Sequence, residues 1–162
     1  MIERLFPSSF DNNYQGHRLA LWGFYVLTAL TLWRSQHHVF APDGGAQSIA
    51  HIPLDTFSEP AATTVISVFS LWGLSQLIIA VLYLLACLRY RSMIPLLYLL
   101  AALEYFIRFA YVGQFKPIVT TGTAPGEMIN IPFAILFLVM FLLSLRPNCS
   151  PKKARHHPEP RE

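Results

Sequence analysis

The sequence has 162 residues, enough for one domain. Hydrophobic residues make up 54% of it and charged residues only 13%, where a soluble domain carries roughly 25% charged residues. This composition argues against a soluble globular domain, and a net charge of +3 without a basic patch among aromatic residues argues against a nucleic-acid partner.

The chain begins with a polar segment, residues 1–18, which we interpret as a short cytoplasmic lead-in. The first apolar block, Leu19 to Trp33, covers only about 22 Å of helix, less than the roughly 30 Å hydrocarbon core of a bilayer. We therefore predict a first membrane span over 19–38, with the side chain of Arg34 snorkelling to the interface. A cleaved signal peptide is the rival interpretation, and the long lead-in and the lack of an A-x-A site disfavour it.

A long connection, residues 39–60, separates the first span from the second. It contains the turn signal Pro-Asp-Gly-Gly at 42–45. Because long irregular loops are uncommon, we expect this one to fold over the bundle as a lid. Ser58 and Pro60 then indicate the start of the next helix, as its cap and first turn.

The second predicted span, 61–88, contains no charged residue. Small or polar residues recur on one of its faces at helical spacing, where they let a neighbouring helix approach closely: Gly73, Gln76, Ala80 and Cys87. We expect Gln76 to form a hydrogen bond between helices. The link that follows, 89–92, is so short that the second and third spans should be antiparallel neighbours, and Ser92 is expected to cap the third span.

The third predicted span, 93–111, carries two charges, Glu104 and Arg108. Each charge costs about 2.5–3.5 kcal/mol at the centre of a membrane helix. A Glu followed four residues later by an Arg lies on the same helix face, so the spacing predicts an ion pair. Ionisable residues inside a membrane often mark functional sites, but such a pair also serves to hold helices together, and both interpretations stay open.

The fourth predicted span, 127–145, ends at Arg146 and Pro147, and the basic tail, 146–162, is expected to be disordered. Nine Lys and Arg residues lie on one side of the four spans and two on the other. The positive-inside rule then places both termini in the cytoplasm. The predicted fold is an all-α integral membrane four-helix bundle in the cell inner membrane.

Further polar residues fall in the outward half of this bundle. Glu127 and Asn130 begin the fourth span, and His37 and His38 end the first. Together with Glu104, Arg108 and Gln76 they form the candidate intramembrane polar site, which the long loop could cover. No spacing typical of a zinc site, of a haem held by two histidines or of a CxxC pair is found, so we predict no metal and no cofactor.

Three short features carry a resemblance to a known family: Phe40-Ala41-Pro42 after the first span, Glu104 and Arg108 before Gly113, and Pro125-Gly126-Glu127 at the start of the fourth span. In these features, over about residues 38–140, the chain resembles small bacterial four-helix membrane proteins of the DoxX-like group. The long acidic loop at 39–60 departs from the compact members. The resemblance implies an inner-membrane four-helix bundle, but it supplies no reaction and no catalytic residue.

Three functions are compatible with these features. We favour a non-enzymatic role, as an accessory subunit of another membrane protein or a binder of a lipophilic molecule, because no catalytic motif is found. The second is a membrane enzyme or proton-coupled carrier that uses Glu104, Arg108 and Glu127. The third is a structural protein that self-associates into a homo-oligomer through Gly73 and Ala80. The lipid bilayer is the expected surrounding in all three.

Overall fold

A computed structural model describes residues 2–123 and 125–147, and all regular structure within these ranges is helical. The prediction of an all-α chain is therefore confirmed for the described residues. The part of the predicted tail from residue 148 onwards, with Cys149, lies outside them. The helices are α1 (Ile2–Leu5), α2 (Arg18–Phe40), α3 (Glu59–Leu88), α4 (Ile94–Ile107), α5 (Gly113–Phe115), α6 (Pro125–Met128) and α7 (Asn130–Leu145).

Within the described ranges, two helical stretches are long and apolar enough to cross a membrane, Glu59–Leu88 and Arg91–Phe115. The second combines a 3₁₀ turn, α4, a π-helical turn (Arg108–Val112) and α5. Helix α7 is apolar but shorter. Helix α2 has the length of a span, but it carries Arg34 and two histidines near its end. These properties support membrane association.

The observed helix ends differ from the predicted ones at two places. The third predicted span continues beyond residue 111 to Phe115, because the π-helical turn carries the helix onward. The fourth is divided, since α6 ends at Met128 and α7 begins at Asn130. Pro132 explains the division: it has no N–H to donate to the carbonyl of Met128, and proline is tolerated in the first turn of a new helix.

The helices associate chiefly in two pairs, α2 with α3 and α4 with α7. The small residues of α3 face α2, and Gly73 lies so close to it that a Cβ atom there would stand 2.6 Å from the Cβ of His38. Helices α3 and α4 are joined by the predicted short link, yet each packs mainly on another helix. The two pairs therefore meet over a smaller area than the helices within each pair.

Contacts at one end of the bundle bring the N-terminal segment onto the end of α7. Arg4 donates a hydrogen bond to the carbonyl of Leu145 at 2.7 Å. Asp11 exchanges hydrogen bonds with Ser92 between α3 and α4. The predicted capping role of Ser92 is wrong, because its hydroxyl binds Asp11 instead. Both ends of the described chain thus lie at the same end of the bundle.

Aromatic side chains form the core of this end. Phe24 on α2 packs edge-on against Tyr98 on α4, with ring centroids 5.3 Å apart, and lies 5.2 Å from Tyr83 on α3. Phe137 on α7 adds a ring 6.4 Å from that of Tyr98. Since aromatic pairs in these arrangements attract each other beyond simple burial, this cluster joins all four long helices.

The long loop after α2 is folded. The carboxylate of Asp43 accepts hydrogen bonds from the backbone N–H groups of Gly45 at 2.9 Å and Ser48 at 2.6 Å. Partial burial opposes ionisation of this carboxylate, but the hydrogen bonds outweigh it and lower the pKa of Asp43 to about 2. Gly44 and Gly45 have positive φ angles of 60° and 76°, a conformation that L side chains rarely adopt.

The loop covers the start of α3. Ala46, Ile52 and Leu54 are buried against Val65, Ile66 and Phe69, among others. A hydrogen bond of 3.0 Å from the amide of Thr121 to the carbonyl of His51 joins this loop to the one after α5. The loop therefore packs on α3 near the bundle end opposite the termini, and its expected role as a lid over the bundle stays a prediction.

Candidate functional site

A cluster of polar side chains occupies the half of the bundle under the long loop. We call it the polar cluster, and it consists of Arg34, Gln76, Glu104 and Arg108, together with Trp72 and Tyr105. Glu104 and Arg108 form the ion pair that their spacing predicts. The side-chain amide of Gln76 donates to Oε1 of Glu104 at 3.3 Å, so α3 and α4 are joined across the bundle as well.

Arg34 belongs to this cluster, and the prediction that it snorkels outward is wrong. Its Nη1 donates to the Tyr105 hydroxyl at 3.1 Å, and its Nη2 donates to Oε1 of Gln76 at 3.4 Å. Polar groups on two facing helices provide these partners, so the guanidinium gains hydrogen bonds inside the bundle without reaching the interface. The sequence contains a signal for this inward position, because Thr31, Arg34 and His38 follow one another at spacings of three and four residues and so share a helix face.

Trp72 is a second residue that the sequence argument missed. The guanidinium of Arg34 lies 5.9 Å from the centre of its ring, and that of Arg108 lies 5.3 Å from it. Cations over a tryptophan face are attracted by about 0.5–2 kcal/mol, the larger value applying away from water. One indole therefore contacts both arginines, which reduces the cost of holding two like charges close together.

The two histidines of the predicted site, His37 and His38, have different surroundings. His38 is buried, its Nδ1 lies 2.8 Å from the carbonyl oxygen of Gly44, and its ring centre is 4.7 Å from that of Trp72. It thus connects the long loop to the polar cluster. His37 is exposed and lines a surface depression with Trp33 and Phe40. The structure does not bring His37 to the cluster.

Glu127 and Asn130, the predicted residues at the start of the fourth span, also stand apart from the polar cluster. Glu127 is exposed on α6. Asn130 begins α7, and its Oδ1 atom is buried without a hydrogen-bond partner among the described residues. Neither forms a hydrogen bond with a member of the cluster. Of the seven predicted site residues, Gln76, Glu104 and Arg108 come together, and His38 reaches them through Trp72.

The charges of the polar cluster do not balance. Two cations, Arg34 and Arg108, share one anion, Glu104. Among the described residues the Glu104–Arg108 contact is the only ion pair, so Arg34 has no carboxylate within salt-bridge distance. Its Nε atom is buried and has no hydrogen-bond partner in the described chain. A positive charge without its own counter-ion is costly where the surroundings exclude water.

A groove with a volume of about 360 Å³ leads to Arg34 from between the two helix pairs. It exists because α2 and α7 meet over a small area. Its walls are mostly apolar, and its lining residues come from α2, α4, α7 and the turn before α7: Gly23, Val26, Leu27, Leu30, Thr31, Trp33, Arg34, Tyr98, Tyr105, Ile129, Phe133, Leu136, Phe137 and Met140. Small-molecule sites have volumes of roughly 300–1,000 Å³, so the groove is large enough to hold a ligand.

Most polar groups along the groove are already satisfied. The hydroxyl of Thr31 donates to the carbonyl of Leu27 at 2.7 Å, and that of Tyr98 donates to the carbonyl of Ala20 at 2.8 Å. Arg34 is the one charged side chain in the lining. The groove is therefore apolar along most of its length and has a positively charged side chain at one end.

No arrangement for metal binding is found in the part of the chain that the structure describes, where no three His, Cys, Asp or Glu side chains converge. Cys87 is buried, with its Sγ 3.3 Å from the hydroxyl of Thr28. Comparison of the chain with protein-family models, with curated proteins and with solved structures finds no match.

Proposed function

We propose that this protein is a four-helix bundle of the cell inner membrane that binds a lipophilic molecule in the groove between α2, α4 and α7. The proposed crossings are α2, α3, the stretch from α4 to α5, and α6 with α7. The observation that carries the binding role is the groove itself, which is apolar along its length and reaches a charged group inside the bundle.

The distribution of apolar side chains supports the membrane setting. Large hydrophobic residues are exposed along the outer faces of the long helices, among them Leu71, Ile78, Leu103 and Leu142. Monomeric soluble proteins rarely expose apolar patches of this extent, whereas lipid tails cover them at no cost. Helix α2, at 23 residues, is about 34 Å long, which is sufficient for a bilayer core.

The charges at the helix ends support cytoplasmic termini. The described cations Arg4, Arg18, Arg89, Arg91 and Arg146 lie at the end of the bundle that holds both ends of the described chain. At the other end, outside the polar cluster, the described part of the chain has Lys116 alone. Four crossings return the chain to the side on which it began, and the positive-inside rule makes that side the cytoplasm.

The orientation can be tested with single cysteines in a Cys149→Ser background, where the remaining Cys87 is buried. We expect a membrane-impermeant maleimide to label Gly122→Cys in intact spheroplasts and to label Asn13→Cys only after the membrane is permeabilised. Gly122 and Asn13 are both exposed, so the access of the maleimide to each cysteine depends only on the side of the membrane on which it lies. Labelling of both before permeabilisation would contradict the topology.

The contacts of the polar cluster do not favour the other two functions. Oε1 of Glu104 is engaged by both Arg108 and Gln76, which suits a positioning role better than proton transfer. Gly73, on the stripe considered for self-association, is covered within the chain by α2 at His38. The binding role uses the groove, which these intramolecular contacts leave open.

A matched pair of substitutions on α7 tests the binding role. Leu136 lines the groove and is 42% exposed, whereas Leu138 is 48% exposed but lies outside the lining. We expect native mass spectrometry after mild solubilisation to show a bound lipophilic molecule in the wild type and in Leu138→Trp. Leu136→Trp should lose it, because the indole fills the groove. Equal occupancy in the two variants, or no bound molecule in the wild type, would overturn the proposal.

A further inference from the structure

We infer that the ligand of the groove is a single-chain amphiphile with a carboxylate head, such as a long-chain fatty acid, whose carboxylate binds Arg34 while its chain lies between α2 and α7. This inference rests on the proposed function, because it names the chemical class of the molecule that the groove binds. It combines three independent features of the described residues: the charge of the polar cluster, the free donors of Arg34, and the shape of the groove.

The charge of the polar cluster calls for an anion. Glu104 is paired with Arg108, and Arg34 reaches Glu104 only indirectly, through Gln76. The described part of the cluster is left with one excess positive charge. An anionic ligand removes this excess, whereas a cationic ligand increases it and a neutral one leaves it unchanged.

Arg34 also has the donors to bind a carboxylate. A guanidinium carries five N–H donors, two on each terminal nitrogen. In the described structure Nη1 makes one hydrogen bond, to Tyr105, and Nη2 makes one, to Gln76. One N–H on each terminal nitrogen therefore remains. These donors can bind the oxygens of a carboxylate, and a hydrogen bond between a guanidinium and a carboxylate is about twice as strong as one between neutral groups.

The shape of the groove favours one hydrocarbon chain. The α2 residues that line the groove extend from Gly23 to Arg34, a distance of about 16 Å along the helix axis. A groove this long with a volume of about 360 Å³ is narrow. One extended chain fits inside it, and two chains side by side do not. The groove runs from Arg34 towards the termini. The carboxylate head of the ligand would therefore contact the arginine, and its hydrocarbon chain would contact the apolar side chains beyond it.

The test uses two photoreactive probes with the same chain, a long-chain fatty acid and the corresponding fatty alcohol, on the full-length protein reconstituted in lipid bilayers. Cross-linked residues are mapped by peptide mass spectrometry at a pH where the fatty acid is ionised. We expect the acid to label groove residues such as Leu136 about tenfold or more above the alcohol, since a hydrogen-bonded charge adds at least that factor.

Three variants locate the preference at Arg34. Arg34→Gln should reduce labelling by the acid to the level of the alcohol, and labelling of the same groove residues by the alcohol in this variant shows that the groove is still formed. Arg34→Lys keeps the charge and should retain part of the preference. Arg18→Gln removes an exposed arginine at the other end of the same helix and should retain all of it.

The outcomes separate this inference from the proposed function. If the acid and the alcohol label the wild-type groove equally, the carboxylate preference is wrong but a lipophilic ligand stands. If neither probe labels the groove, both proposals fail. If the preference persists in Arg34→Gln, Arg34 is not the head-group site. The wild-type comparison alone decides the preference for an acid, even if an Arg34 variant does not fold.

Discussion

The two halves of this bundle are built from the same long helices but are held together by different forces. Near the termini, Phe24, Tyr83, Tyr98 and Phe137 pack ring against ring. Under the long loop, the same helices meet through the polar cluster, with hydrogen bonds, one ion pair and one excess cation. The aromatic half depends on shape, and its residues line much of the apolar part of the groove. The polar half is left with a charge that the described chain does not balance, which is why we place the charged head of the ligand there.

The largest expected effect comes from breaking the aromatic half. Phe24 is 0% exposed and contacts rings on two other helices, so Phe24→Ala leaves a cavity and should lower the free energy of unfolding by about 3 kcal/mol. Trp22→Ala is the control, because Trp22 is 65% exposed on the same helix. Unfolding in mixed micelles by added denaturing detergent measures both. Equal losses would contradict the assignment of this half as the structural core.

A smaller effect is expected in the polar half. Glu104→Gln leaves Arg108 without its carboxylate, and it should lower the free energy of unfolding by about 2 kcal/mol, less than for a fully buried pair because both side chains are partly exposed. Removing the second charge as well, in Glu104→Gln/Arg108→Gln, should recover part of this loss. A double-mutant cycle measures the coupling between the two residues, and additive losses would show that the ion pair does not stabilise the bundle.

The close contact between α2 and α3 belongs to the polar half and can be tested at Gly73. A Cβ atom there would stand 2.6 Å from the Cβ of His38, so Gly73→Ala forces the helices apart. Overpacking typically costs about 1–3 kcal/mol, and the higher helix propensity of alanine offsets part of that cost. We therefore expect the free energy of unfolding to fall by about 1 kcal/mol. Gly122→Ala is the control, since no atom lies within 4 Å of its added Cβ. Unchanged stability of Gly73→Ala would contradict the close approach.

The smallest effect concerns the loop over the polar half. The pKa of Asp43 is about 2 in the folded loop against 3.8 for the free group, so the carboxylate stabilises the loop above about pH 4, and this contribution is lost as the pH falls towards 2. Hydrogen exchange at the amides of Gly45 and Ser48, corrected for the intrinsic rate, should therefore accelerate over this range. In Asp43→Asn the exchange should be fast at every pH. A wild-type loop whose protection does not change with pH would refute the role of Asp43.

Much of the fold could be predicted because it depends on local patterns. Runs of apolar residues predict long helices in any solvent, and the observed α2 and α3 begin and end within two residues of the predicted spans. The ion pair of Glu104 and Arg108 could be predicted for the same reason, since four residues are about one helical turn. The division of the fourth span at Ile129 was missed, although Pro132 carries the signal for it.

The candidate site could be predicted only in part. Gln76, Glu104 and Arg108 were recognised because polar residues are rare in long apolar blocks. Arg34 was assigned to the interface and Trp72 was overlooked, because each gains its partners from other helices that are distant in sequence.

By itself, then, the amino-acid sequence determined that this chain forms long apolar helices, that its cations collect at one end, and that Glu104 and Arg108 share a helix face, because each of these properties depends on spacing along one segment. Only the tertiary structure decided which helices pair, that a groove remains between α2 and α7, and that the side chain of Arg34 turns inward to the end of this groove. Those properties depend on how side chains of different helices fit together, and spacing along a single segment does not specify that fit.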